Sequence, residues 1–249
     1  MSLIKEELQT SKKNLTQRRI VTNDINLDDL KNGEIIVQIE NFAFTSNNVT
    51  YGVAGEMMGY WQFFPTMNDP ENIWGCIPMW GFAEIKYSNN KELQVGERLF
   101  GYFPASNILT LKPIKISQKT FIDGEEHRKE LPPVYNNYIR LNNEDNYNKD
   151  NDNIRALLFP LHVTSFCLCD YLQNENYLGA EQVIIVSASS KTAIGLAQGL
   201  QSEEKKPEII GLTSKRNSEF VKSLNSYDQI YSYDDLGDIN INNSSVMVD

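Results

Sequence analysis

The chain is poor in the residues that usually announce chemistry. Among 249 residues there are 3 cysteines and 2 histidines. Cys76, Cys167 and Cys169 offer neither a disulfide framework nor the paired spacing of a zinc site. The Cys-x-Cys pair lies in HVTSFCLCDYL, which reads as a buried helix where thiols serve as packing. No apolar run approaches the ~20 residues of a membrane span, and the opening MSLIKEELQT lacks the apolar core of a signal peptide. A cytoplasmic protein without a membrane partner is therefore expected. Basic residues are outnumbered, Lys+Arg 23 against Asp+Glu 33, so the net charge of -10 argues against nucleic acid as a partner while allowing a local phosphate pocket.

Glycine is missing where it would be most informative. VIIVSASSKTAIGLAQGL (Val183 to Leu200) runs as an apolar strand, a short turn and a helix opening on small residues. A phosphate held at a helix N-terminus needs free backbone N–H groups and close approach of the chain, which is why such turns favour glycine. Here Ser187, Ala188, Ser189, Ser190 and Ala193 permit close approach, and the serine hydroxyls with Lys191 and Thr192 add donors and charge. Three readings stand: a dinucleotide turn, serines that cap a helix and do nothing more, and a P-loop. The last is opposed by Ser190 and Ile185, which occupy the two glycine positions that motif requires.

What is present is ordinary globular material, 41% hydrophobic and 22% charged, long enough for one large domain or two modest ones. GEIIVQIENFAF (Gly33 to Phe44), WGFAEIKY, ERLFGYF and VYNNYIRL read as short strands, so residues 1–153, after a polar N-terminal arm, are expected to form a small β-barrel. NNEDNYNKDNDN (Asn142 to Asn153) is too polar to order itself by burial and is expected to be a loop insertion at the junction. From residue 154 to 249 helices alternate with VIIVSA, EIIGLTS, QIYSY and SVMVD, the pattern of a parallel sheet with crossover helices. The fold class expected is α/β, a β-barrel domain followed by a doubly wound nucleotide-binding domain. Four of the six strands of that sheet are counted, so the chain is expected to be a fragment or a shortened reading frame. At the end of EIIGLTS and just beyond it the sequence carries Thr213, Ser214, Lys215 and Arg216 where NAD-binding sheets place an acid, which favours NADPH unless Lys215 and Arg216 are solvated charges.

Several stretches in order resemble the zinc-free, quinone oxidoreductase branch of the medium-chain dehydrogenase/reductase superfamily: GEIIVQIENFAFTSNNVTYGVAG, LQVGERLFGYF, and LLFPLHVTSFCLCDYLQNENYLGAEQVIIVSASSKTAIGLAQ. NNVTYG, YWQFFP, IPMWGFAEI and SASSKTA resemble more closely the family labelled domain of unknown function 2855. The resemblance implies a GroES-like barrel domain, a Rossmann domain, NADPH, and hydride transfer to an apolar carbonyl, enone or quinone. It places Ser46 where related enzymes carry a cofactor-side Asn or a zinc-ligand Cys, Tyr51 near the substrate, and Thr164 near the nicotinamide. The family's Gly-His-Glu run and four-cysteine lobe are absent, so no zinc is expected. Tyr51 becomes the candidate donor to a developing oxyanion, Ser46 and Asn48 candidates for orienting groups, and His162 a candidate for proton transfer or a helix-end histidine. YWQFFP is expected to contribute in part to an apolar cleft. A homodimer is the partner the family implies, although the missing strands would supply much of its surface and much of the nicotinamide side. A non-catalytic descendant that kept the fold for nucleotide sensing or interaction is the competing reading.

Overall fold

A computed structural model describes every residue except Glu204 and Ile241. The chain divides into two compact units, Met1–Leu157 and Leu158–Asp249.

In the first unit, strands β1 (Ser2–Ser11), β2 (Arg18–Asn26), β3 (Ile35–Phe42) and β4 (Trp74–Gly75) precede β5 (Pro78–Ser88) and β6 (Arg98–Pro104). β7 (Ile108–Leu111), β8 (Pro113–Ile114), β9 (Thr120–Asp123) and β10 (Asn137–Arg140) follow, and helix α1 (Ser46–Val53) lies between β3 and β4. The residues read as an arm are a ten-residue strand in a long antiparallel hairpin with β2, and β4 joins its other edge. The remaining seven strands run in the order β7-β3-β5-β6-β10-β9-β8. Its two outer strands are separated in sequence only by Lys112, so the sheet must curl until its edges meet, as a small barrel does.

Strand alternation sorts the aromatic residues into two layers. Ala83, Leu99, Phe103 and Tyr138 pack with Ile35, Val37 and Phe121 as the inner core. Trp80, Phe82, Phe100 and Tyr102, paired across β5 and β6, build a second aromatic layer on the other face. Gly101 is required beneath Tyr138: a Cβ there would stand 2.4 Å from the ring.

Behind this layer lies a buried cation. In the charged run DGEEHRKE, His127 is exposed while its neighbour Arg128 is 1% exposed. Its guanidinium donates to Asp123 (2.7 Å), Asn136 Oδ1 (2.8 Å), the Tyr135 carbonyl (2.8 Å) and the Tyr138 hydroxyl (3.2 Å), between the rings of Phe63 and Phe64.

The Asn/Asp-rich tract is not the unordered insertion its composition suggests. Polar bonds replace burial: Asn142 Oδ1 accepts from the Arg98 amide (3.0 Å), Asn143 donates to the Gln118 carbonyl (2.8 Å), and Glu144 pairs with Arg155 (2.5 Å). Arg98 reaches Glu40, Tyr147 and Asp152 at once.

In the second unit β11 (Gln182–Ile185), β12 (Glu208–Thr213), β13 (Gln229–Ser232) and β14 (Ser245–Val248) form a parallel sheet in the order β13-β12-β11-β14. This is the 3-2-1-4 order of a doubly wound nucleotide-binding sheet. Helix α2 (Asp152–Asn174) contains the division between the units, α3 (Lys191–Gln201) follows β11, and α4 (Ser218–Ser223) follows β12.

Removing one partner of a buried ion pair leaves the other charge uncompensated, so Asp123→Ala is expected to destabilise the barrel unit by about 3–5 kcal/mol. Urea unfolding checks it; a loss below about 1 kcal/mol would contradict the role given to the pair.

Candidate functional site

The turn between β11 and α3 is built from serine, and Ser187 takes the left-handed conformation (φ 53°) that glycine usually supplies. Its N–H donates to the Tyr233 hydroxyl (3.0 Å), and its carbonyl accepts from the Ser190 amide (2.7 Å). Ala188 is buried and fixed on both sides, its N–H on the Leu212 carbonyl (2.8 Å) and its carbonyl on the Tyr227 hydroxyl (2.9 Å). Ser190 caps α3, its side chain accepting from the Ala193 amide (3.2 Å). The amides of Ser189, Lys191 and Thr192 have no acceptor among the described residues. Three free N–H groups at the positive end of a helix dipole, beside the exposed Lys191 ammonium, form an anion cradle.

Close packing beneath this turn depends on a glycine inside α3 that lies outside the serine motif. A Cβ on Gly195 would meet the Ser165 hydroxyl at 2.7 Å. That hydroxyl donates to the carbonyls of Leu161 (3.0 Å) and Thr192 (2.8 Å), tying α2 to the first turn of α3.

The segment after β12 is joined to the same turn, since Asn217 donates to the Ser189 hydroxyl (3.0 Å). Ser214 is extended and precedes a short helical turn, Lys215–Asn217. Lys215 pairs with Asp234 (3.2 Å), whereas exposed Arg216 has no acidic partner among the described residues. Ser187, Ser189, Ser190, Lys191, Thr192 and the Ser214–Arg216 segment therefore converge on one end of the parallel sheet. Thr164 stands on α2 with its hydroxyl turned back to the Pro160 carbonyl (3.0 Å), and His162 is exposed on the same helix. Tyr233, Tyr227, Asn217 and Ser165 were not evident from sequence. The available signal for Tyr233 was its place at the C-terminal end of a parallel strand, where ligand-contacting residues gather.

In the barrel unit, α1 carries the other candidates. Thr45 and Asn48 form a capping box, with the Thr45 amide on Asn48 Oδ1 (2.6 Å), while Asn48 Nδ2 donates to the Pro78 carbonyl (3.0 Å). Asn48 is thus buried and occupied at both ends, and Ser46 is exposed in the first turn. Tyr51 is buried against Tyr60 and Tyr102, ring centroids 4.6 and 5.8 Å away. Tyr135 completes the group, 4.6 Å from Tyr102 and with its hydroxyl 3.3 Å from that of Tyr60. Tyr60, Trp61, Phe63 and Phe64 of YWQFFP are all buried, as is Trp80. Desolvation pushes the Tyr51 phenol above its ordinary pKa, Tyr60 adding to the effect and polar contacts with Trp80 and Tyr102 opposing it. Burial likewise raises Tyr102 and Tyr135, and pushes Tyr138 up to about 12. Among the described residues no three His, Cys, Asp or Glu side chains gather in a metal-holding arrangement, and no helix is long and apolar enough to cross a membrane.

The profile of the family described as "Protein of unknown function (DUF2855)" matches residues 42–249. No curated protein matches the chain in sequence. Among solved structures, CurA from Vibrio vulnificus is similar at 12% identity and a TM-score of 0.54, over 94% of this chain and 59% of that one. A Bacillus thuringiensis protein assigned as an NADPH:quinone reductase gives 13% identity and a TM-score of 0.53, over 94% of this chain and 59% of its own. TarJ of S. aureus in complex with NADPH gives 9% and 0.51, over 93% of this chain and 60% of its own. The chain spans about three fifths of the length of the structures it matches. The chain shares with these structures its fold, a GroES-like barrel unit followed by a Rossmann-type parallel-sheet unit, as expected from the sequence.

The tyrosine group gives a signed pH dependence. A phenol that holds its proton more tightly when folded contributes stability that is complete below its unfolded value, about 10, and lost as pH rises through the folded one. Phenolate absorbance in an alkaline titration is expected to show Tyr51, Tyr102, Tyr135 and Tyr138 as a late set that appears together with unfolding. Ionisation of these four near the ordinary value in the folded protein would contradict the burial described.

Proposed function

The chain belongs to the DUF2855 family, and from that starting point we propose that it is an NADPH-dependent reductase of an apolar carbonyl, enone or quinone that works without zinc. The observation that carries the proposal is the cradle at the head of α3, with three unpartnered amides and Lys191, joined through Asn217 to the segment bearing Arg216. The amides of Ser189, Lys191 and Thr192 fit a pyrophosphate, and Ser187 and Ser190 shape the turn that presents them. Arg216, which has no acidic partner among the described residues, is suited to a 2′-phosphate, with Ser214 beside it, while Lys215 is partly neutralised by Asp234. Thr164 is assigned to the nicotinamide side by resemblance. When bound, NADPH supplies the hydride.

The remaining chemistry falls to protein hydroxyls and imidazole. Tyr51, kept protonated by burial, is the donor to the oxygen on which negative charge develops. Ser46 orients the substrate from the exposed start of α1, and Asn48 acts through the helix it caps. His162, exposed on α2, returns a proton from solvent. A second reading, nucleotide binding without chemistry, is favoured by the occupied amide of Asn48 and the turned-back hydroxyl of Thr164.

Fluorescence titrations with NADPH and NADH test both readings. NADPH is expected to bind more tightly, and Arg216→Ala to weaken it by about tenfold or more, the scale of one charge-assisted hydrogen bond, with little effect on NADH. Lys215→Ala is expected to cost less because of Asp234, and Lys191→Ala to weaken both cofactors. Failure to bind either cofactor would overturn the proposal; tight binding with no NADPH oxidation across quinones and enones would select the second reading.

A further inference from the structure

The β1–β2 hairpin separates two adjacent arginines onto opposite faces. Arg19 faces Gln9 across the hairpin, donates to the Gln9 side chain (2.9 Å) and the Asn68 carbonyl (2.9 Å), and lies over the Trp74 ring. Arg18 faces Thr10 across the same hairpin, and alternation places both on the face that carries Leu8. Arg18 is exposed and has no acidic partner among the described residues.

That face forms one wall of a pocket of about 420 Å³ within the barrel unit. Leu8, Leu15, Phe42, Phe44, Ile77 and Met79 line it, and Ala105 closes one side. Among the described residues, Thr10 and Arg18 are its only polar lining residues. Leu15 is seated on α1, within 3.0 Å of where a Gly52 Cβ would lie, so a helix fixes the pocket wall. Phe44, 65% exposed, and Phe42, 42% exposed, leave apolar surface open to water. The size is within the range of small-molecule sites, about 300–1,000 Å³, and the composition is typical of them: apolar walls and few placed polar groups.

We infer that this pocket binds a small amphipathic carboxylate, its carboxylate on Arg18 and Thr10 and its unbranched or monocyclic apolar body against Leu15, Phe42, Phe44 and Met79. A single unpaired guanidinium at an apolar pocket matches an anionic head of that geometry and opposes a cationic or neutral one. The pocket shares no residue with the cradle at the head of α3, so the inference stands or falls independently of NADPH binding.

Calorimetric titration of the chain with decanoate, decanol and decyltrimethylammonium, each below its aggregation concentration, tests the inference. Decanoate is expected to bind best, Arg18→Gln to weaken it by about tenfold or more, and Arg18→Lys to retain most of the affinity. Ala105→Phe, which fills the pocket, is expected to abolish binding; circular dichroism of each variant checks that it is folded. Equal affinity for the three ligands, or an Arg18→Gln variant that binds decanoate like the parent, would overturn the inference. Absence of decanoate binding together with self-association that Ala105→Phe removes would overturn it in favour of a second copy of the chain as the occupant.

Discussion

A buried guanidinium sets the geometry of the barrel unit. Burial alone would weaken the hold of Arg128 on its proton, but Tyr138 and Asp123 outweigh that cost. Its donors each have a different destination, and those destinations belong to β9, β10 and the turn before β10. Tyr138 passes the constraint on by donating to the Tyr102 carbonyl (2.7 Å) in β6. Asn136 closes a ring by donating back to the Arg128 carbonyl (2.9 Å). A planar cation with fixed donor directions can satisfy all of these only in one arrangement. Tyr135, whose ring packs on Tyr102 and Tyr60, is therefore positioned by the cation, and the surroundings of Tyr51 follow from it.

The parallel-sheet unit solves a different problem, the close approach of backbone without a glycine-rich turn. Ser187 adopts the left-handed conformation at some steric cost, and Tyr233 and Ser190 hold it there. The need for a small residue has moved from the turn into the helix, to Gly195 against Ser165. Turn geometry and helix packing, which one glycine run serves in a Rossmann fingerprint, are here divided between serines and the single glycine Gly195.

The parts of the fold that were legible in sequence are those fixed by periodicity. Four apolar strands alternating with helices implied the parallel sheet, and its 3-2-1-4 order follows the handedness of crossover connections. The serine turn was legible because helix caps and phosphate turns use the same small polar residues. Arg128 was not, since a charged run containing Glu125, Glu126, His127, Arg128 and Lys129 has the composition of a solvated face, and only the bonds to Asp123, Asn136 and Tyr138 reveal which charge turns inward. The Asn/Asp-rich tract misled for the reverse reason: composition measures what a segment can bury, while its order comes from Arg98, Arg155 and Gln118 outside it. The opening strand was hidden because its polar face and its partner β2 both read as coil.

Arg18 and Arg19 show what a two-residue period does to the meaning of a sequence change. They are the same residue type, one peptide bond apart, and share a strand. One is woven into an aromatic ring, an amide and a carbonyl, so loss there is felt by the architecture. The other touches none of these, so natural variation at that position can alter what the surface attracts while leaving the architecture intact. Selection acting on such a pair would leave different records at neighbouring positions, one nearly fixed and the other free to drift with the molecules the protein meets.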